Sequence, residues 1–492
     1  MPRSEPYERL GARRLNRPDV IAQSVGFMGP VFAAAFLIPL VAGVISPSGR
    51  GAGGAAPLSV LIAAIGILAV GWVVRSYARA VQAAGSLYDY VSRGLGARVG
   101  TAAGWLYYGG MTVLLAGLLL LTGGYLQSTI QAEFGVRPLP GWAWTLVAIA
   151  AVAAAGYFGV RISTRGQLVL ALASMLVVAA FFVMVIVRLG RANSLRPFSP
   201  AAAGSGWAGI GVGAVYGVLL FAGFETGANL AEETRRPRRS VPAAVLSAVA
   251  IGAVFLILAA YAEVAGLRGR PPGLTAAAAA PLFALGAPVS AGGYGSLWTD
   301  RLLELVVLLD LIAMAIGCST AASRGLFAMA RDRRIPAALA VVSRRHGTPL
   351  GAGAFLVATS AAALLVSQFW PGLVALPQTP HYVALFAWAA AFGGFALVAT
   401  YLLLCVGALR GIATARHRVA LAAAAAVGIV ITAGASYASF FKVTKPTIYA
   451  PWVALALLAI GFASTFVVRA RQPASTRLAE TTPDTRPPPR AP

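Results

Sequence analysis

Glu225 is a lone acid in an apolar run, preceded by Phe221, Ala222, Gly223 and Phe224 and followed two residues on by Gly227. A carboxylate in so dry a setting is suited to exchanging a proton or pairing with a cation. Asp310, in Leu-Leu-Asp-Leu-Ile-Ala-Met, is its counterpart later in the chain. An ionised carboxylate near a bilayer centre costs about 2.5–3.5 kcal/mol, so such residues face a polar cavity and carry function, or stay neutral and bond a nearby carbonyl. A second stretch, Ser24-Val25-Gly26-Phe27-Met28-Gly29-Pro30, places two glycines and a proline inside another apolar run. A helix interrupted there leaves N–H groups free on one side and C=O groups free on the other. Free amides at the positive end of a half-helix suit a carboxylate, and free carbonyls suit an ammonium or a sodium ion. Together they form a candidate pocket for a zwitterion, lined by Ser24, Gly26, Phe27, Met28 and Gly29 and by Phe221, Ala222, Gly223 and Phe224. Ser319, Thr320 and Ser323 offer hydroxyls for a sodium site, although Ser and Thr in helices commonly bond back to their own helix.

These residues need a scaffold, and the composition dictates its kind. The chain of 492 residues is 59% hydrophobic and 11% charged, with a mean hydropathy of +0.78. Apolar runs of about 20 residues, enough to cross about 30 Å of hydrocarbon as a helix, recur twelve times. They are expected at 20–46, 57–78, 100–128, 141–160, 166–189, 207–232, 241–266, 297–325, 350–370, 381–408, 419–440 and 450–468. The fold class expected is an all-α polytopic membrane protein. The Gly/Pro interruptions fall in runs one and six, corresponding members of two five-helix halves, which is the pattern of an inverted repeat with its binding site at the breaks. The expected organisation is a tail at 1–19, a first repeat at 20–189, a second at 207–408, helices 11 and 12 at 419–468, and a Pro- and Thr-rich disordered tail at 472–492.

A net charge of +24 in a soluble chain would suggest nucleic acid, but here its distribution decides. With the N-terminus in the cytoplasm, the greater part of the 39 Lys and Arg falls in inner loops and tails, among them Arg75, Arg79, Arg235, Arg236, Arg238, Arg239, Arg331, Arg333 and Arg334. Both termini are therefore expected inside the cell membrane, with lipid and a small solute as partners and no nucleic acid. Glu232 and Glu233 are expected to be neutralised by the arginines just after them, and Glu263 and Glu304 to be solvated near the outer surface. Cys318 and Cys405 lie on different helices, and the three histidines fall in or near loops. Neither a nucleophile–base pair nor a metal-ligand set converges, so an enzyme is not expected. The chain contains no G-x-x-x-x-G-K-[ST] nucleotide loop. No cofactor or metal is called for.

Three stretches carry a resemblance. They are Phe221 to Val245 (FAGFETGANLAEETRRPRRSVPAAV), Ala84 to Trp105 (AGSLYDYVSRGLGARVGTAAGW) and Ser323 to Pro349 (SRGLFAMARDRRIPAALAVVSRRHGTP). In their order and in their places between the spans they resemble the amino acid-polyamine-organocation superfamily of permeases. The resemblance implies the leucine-transporter type of fold and a substrate site between helices 1, 3, 6 and 8. It implies a gating or proton-relay role for the acid at Glu225. Two departures stand out. Relatives with a lysine on helix five have here, by counting from Gly159, Ser174, and the helix-six tryptophan of arginine exchangers is here Leu219. The function expected is secondary transport of amino acids by alternating access, with proton symport and sodium as the alternative ion. Polyamine or organic amine transport, amino acid exchange and nutrient sensing are the other readings. Tyr107 and Tyr108 are candidates to bond a substrate carboxylate. The sequence leaves the oligomeric state open.

Overall fold

The computed structural model describes residue 10 and residues 15–44, 51–158, 160–267, 280–376, 379–411, 417–441 and 443–467, with 160–165 in backbone only. The expected tail at 472–492 and most of the tail at 1–19 lie outside the described residues, as do Lys442 and the Arg13 and Arg14 positions.

Among the described residues 12 helices are long and apolar enough to cross a membrane. Spans 1 to 6 are Arg17–Ala42, Gly53–Ala80, Ala97–Phe134, Gly141–Phe158, Gly166–Ala192 and Gly206–Glu233. Spans 7 to 12 are Pro237–Leu267, Leu297–Arg331, Leu350–Phe369, His381–Arg410, Arg418–Ala438 and Tyr449–Val467. The described residues form no β-strand beyond isolated bridges. Several helices outrun their apolar cores. Span 3 continues to Phe134 and span 8 to Arg331, past the hydropathy limits, because polar residues at a helix end extend the ladder into water without penalty. Span 1 starts earlier than expected, at Arg17, where the Asn16 amide donates to Asp19 Oδ2 at 2.8 Å and Pro18 occupies the first turn.

Spans 1 and 3 bury most of their surface, whereas spans 4, 9, 11 and 12 bury little and lie at the periphery. Span 3 packs along span 10, and span 2 along span 7. Span 1 begins, and spans 6 and 8 end, at the face carrying Arg17, Arg235 and Arg331, called here the basic face.

Span 1 is two helices. The first, Arg17–Met28, stops at Gly29, whose φ of +58° is the left-handed conformation that favours glycine. Pro30 then opens the second half, which turns through a π-helical segment at Ala33–Leu37 before Pro39 and ends at Ala42. Span 6 breaks differently. Its α-helix covers Gly206–Gly217, tightens to a 3-10 turn at Val218–Phe221, and gives way to extended backbone at Ala222 (ψ 129°). Gly223 follows with φ +101°, and the remainder, Thr226–Glu233, is a 3-10 helix rather than an α-helix. The two breaks touch: the Gly227 amide donates to Ser24 Oγ at 3.0 Å, and Thr226 Oγ1 donates to the Gln23 carbonyl at 3.4 Å.

Candidate functional site

Glu225 lies directly after the break of span 6 and has no exposed surface. Each of its oxygens accepts one phenolic hydrogen bond: Tyr107 Oη, from span 3, donates to Oε1 at 2.5 Å, and Tyr401 Oη, from span 10, donates to Oε2 at 2.5 Å. The Tyr401 ring also packs on Phe224, with centroids 5.5 Å apart. The acid thus ties the break to two helices of the surrounding scaffold. Tyr107, a candidate for the substrate's carboxylate by sequence, is engaged with Glu225. Tyr108 instead donates to the Gly85 carbonyl at 2.8 Å and accepts from Asn229 Nδ2 at 2.8 Å. Tyr401 was not singled out from the sequence, where it is one tyrosine in an apolar run.

Asp310, equally buried, lies on span 8 against the other break. Its Oδ2 accepts from the Phe32 amide at 2.8 Å, next to the Val31 amide at the start of the second half-helix. These are the amides that the sequence reading reserved for a solute's carboxylate; the structure fills them with one of the chain's own. Asp310 Oδ1 has no hydrogen-bond partner among the described residues.

Of the candidate lining residues, Ser24 is bonded to Gly227, and Phe27 packs under Gly223, where a Cβ would stand 2.8 Å from the ring. Met28 and Phe221 turn toward Gly252 of span 7, and Phe224 toward Gly71 of span 2. Ala222 alone of this set is partly exposed among buried neighbours. Gly26 has no room for a side chain, because Gln167 of span 5 lies over it, 2.3 Å from where a Cβ would be. Gln167 Nε2 donates to the Ala313 carbonyl at 3.0 Å and Gln23 Nε2 to the Gly317 carbonyl at 2.8 Å, so two amide side chains bridge spans 1, 5 and 8. Counting along the chain pointed to Ser174 as the span 5 residue of interest. The residue that span 5 inserts between spans 1 and 8 is Gln167, two helical turns earlier.

Two of the three hydroxyls proposed for sodium are placed by their contacts. Ser323 Oγ donates to the Thr320 carbonyl of its own helix at 3.1 Å. Ser319 and Ser323 line a largely apolar cavity of about 390 Å³ between spans 3, 4, 8 and 9, to which neither span 1 nor span 6 contributes.

At the basic face the acids find partners other than those expected. Glu233 pairs with Arg324, with Nε to Oε2 at 2.6 Å and Nη2 to Oε1 at 3.3 Å, fully buried. Glu232 takes Arg331 through two bonds at 2.9 and 3.0 Å and accepts the Ala84 amide at 2.9 Å. Both arginines come from span 8 rather than from the Arg235–Arg239 run, because the 3-10 winding of span 6 turns the two acids inward. The chain is closed further by Leu15, which exchanges backbone bonds with Glu233 and Arg235 at 3.0 Å each. Glu263 also departs from expectation. It is 2% exposed rather than solvated, and shares a cavity of about 370 Å³ with Arg196, Pro197 and Ala202 of the turns at Arg196–Phe198 and Pro200–Ala202.

Residues 31–469 match the amino acid permease family. The branched-chain amino acid permease BcaP of Bacillus subtilis is 23% identical over 348 residues, covering 65% of this chain and 70% of that protein. An uncharacterized transporter of Mycobacterium tuberculosis is 29% identical over 382 residues, covering 74% and 76%. The low-affinity putrescine importer PlaP of Escherichia coli is 26% identical over 213 residues, covering 40% and 44%.

Proposed function

The chain belongs to the amino acid permease family, and from that premise we propose that it is a secondary transporter that carries apolar amino acids across the cell membrane by alternating access, coupled to protons. One observation supports this most directly. The two interrupted spans meet at Ser24 and Gly227, and an acid flanks each break, Asp310 beside span 1 and Glu225 on span 6. Broken backbone supplies donors and acceptors for an α-amino and an α-carboxylate group, and Phe27, Met28 and Met314 surround it with apolar side chains. Bacillus and Lactococcus relatives named branched-chain amino acid permeases support the same substrate class. The basic face is cytoplasmic in this reading, which places the described N-terminal residues and the end of span 12 inside.

A second reading is favoured by the bare Oδ1 of Asp310: an ammonium could pair with it, as expected of a putrescine-like amine. Counterflow in proteoliposomes, which needs no known driving ion, separates the two. Exchange of leucine, isoleucine and valine with no exchange of putrescine is the expected result; exchange of putrescine alone would overturn the amino acid assignment.

A further inference from the structure

The break at Gly29 frees the amides of Val31 and Phe32 at the start of a half-helix that runs to residue 42. Such a terminus holds an anion by its donors and its dipole together. Asp310 supplies that anion, and the missing side chain at position 29 leaves room for Met314 beside it. A Cβ there would stand 2.5 Å from Met314 Sδ and 3.5 Å from Asp310 Oδ2. The acid makes no use of its other oxygen, which is buried and without a hydrogen-bond partner among the described residues. That is a weak arrangement for a purely structural bond, since a buried carboxylate oxygen left bare forfeits the hydration it had in water.

An α-amino acid brings a carboxylate of its own, and two anions cannot share one pair of amides in a dry site. We propose that Asp310 is a proton-operated latch on the substrate's carboxylate site. Ionised, it occupies the Val31 and Phe32 amides; protonated, it becomes a poor acceptor, releases them, and the substrate's carboxylate takes its place. The proton adds to the Asp310 carboxylate from water admitted when the site opens. It leaves to water on the other side once the substrate has gone and the carboxylate returns to the amides. One proton thus travels with one zwitterion, and each cycle moves one positive charge. This mechanism rests on the amino acid reading above.

The surroundings leave Asp310 free to follow the proton. The helices packed around it carry other titratable groups, among them Asp19 of span 1, Tyr107 and Tyr125 of span 3, Arg188 of span 5, Glu225 of span 6, Glu263 of span 7 and Glu304 and Cys318 of its own span, and none of them is hydrogen-bonded to Asp310 among the described residues. The hydrogen bond that the Asp310 carboxylate does accept comes from the Phe32 amide at the break. Glu225 is itself held by two tyrosines.

Leucine binding to the purified protein, measured by scintillation proximity over a series of pH values, tests the latch. Wild-type affinity is expected to rise about tenfold for each unit the pH falls while Asp310 is mostly ionised, and to level off once it is mostly protonated. Asp310→Asn, neutral and of the same shape, is expected to lose that slope, to bind leucine more tightly than wild type at alkaline pH, and to lose accumulation driven by a pH gradient. Asp310→Ala, which empties the amides, gives the same loss of slope, so a folding defect in one variant does not decide the matter. A leucine affinity that still follows pH in Asp310→Asn, or accumulation that persists in it, overturns the latch. Failure of the amino acid reading has a different appearance: no amino acid binds the wild type at any pH. A pH jump without substrate then reads the proton step alone. A transient charge movement in wild type that is absent from Asp310→Asn supports the latch, and one that persists in the variant overturns it.

Discussion

The hydroxyl of Tyr401 stands 2.5 Å from Oε2 of Glu225, across the gap between span 10 and the break of span 6. With Tyr107 on the other oxygen, the carboxylate is satisfied by side chains from two helices that flank the broken pair. Any shift of the span 6 break relative to spans 3 and 10 therefore has to stretch or break one of these two short bonds.

Removing one donor leaves half of a buried carboxylate unpaired, which costs about 1–3 kcal/mol. Tyr401→Phe and Tyr107→Phe are each expected to lower the melting temperature in detergent and to slow leucine counterflow. Glu225→Gln keeps the shape but puts an NH2 group in place of one carboxylate oxygen, so one tyrosine hydroxyl loses its acceptor. Its counterflow is expected to fall further than that of either phenylalanine variant. A Glu225→Gln protein with wild-type counterflow and wild-type melting would remove Glu225 from the moving parts.

Gln167 explains a second expectation. A methyl group on Gly26 would collide with its side chain, and one on Gly317 would meet both Gln167 Nε2, at 2.2 Å, and Phe27 Cβ, at 2.8 Å. Gly26→Ala and Gly317→Ala must push Gln167 off the Ala313 carbonyl, and overpacking of this kind costs about 1–3 kcal/mol. Both variants are expected to melt earlier. Gly26→Ala combined with Gln167→Ala restores the space, so the double variant is expected to recover melting temperature relative to Gly26→Ala; a further drop would place the strain elsewhere.

Which of these relations could be read before folding follows from their range. Spans were legible because each is set by its own run of apolar residues, and the two breaks because glycine and proline act on the backbone where they stand. The depth of Glu225 was legible for the same reason. Its partners were not: Tyr107 and Tyr401 reach it from 118 and 176 residues away, and nothing local distinguishes them from other tyrosines in apolar helices. Asp310 was recognised as costly, but its bond to Phe32, 278 residues distant, depends on how span 8 crosses span 1. Glu263 was misplaced because position along a span says nothing of the turn at Arg196–Phe198 that shares its cavity. Glu232 and Glu233 were given the wrong arginines because a 3-10 winding, unlike the α-helix assumed, rotates them toward span 8.

That rotation makes the last prediction. Arg324 and Glu233 form a buried, two-bond pair joining the basic-face ends of spans 8 and 6. Charges out of water are stable only together, and removal of one partner of such a pair costs about 3–5 kcal/mol, while replacement of both by apolar groups of similar size is close to neutral. Glu233→Ala and Arg324→Ala are therefore each expected to lower the melting temperature sharply, and Glu233→Leu with Arg324→Met to restore most of it. At the same face lie the Glu232 to Arg331 pair and the Leu15 bridge, and the test is whether such links hold it shut. The apolar double variant recovers stability without the directional link, so the face should open more readily. A cysteine placed at Ser24, in a background with Cys318 and Cys405 replaced by alanine, is expected to react with a water-soluble maleimide faster when Arg324 and Glu233 are both apolar. Equal rates in the two backgrounds would show that the pair supports folding without holding the face shut.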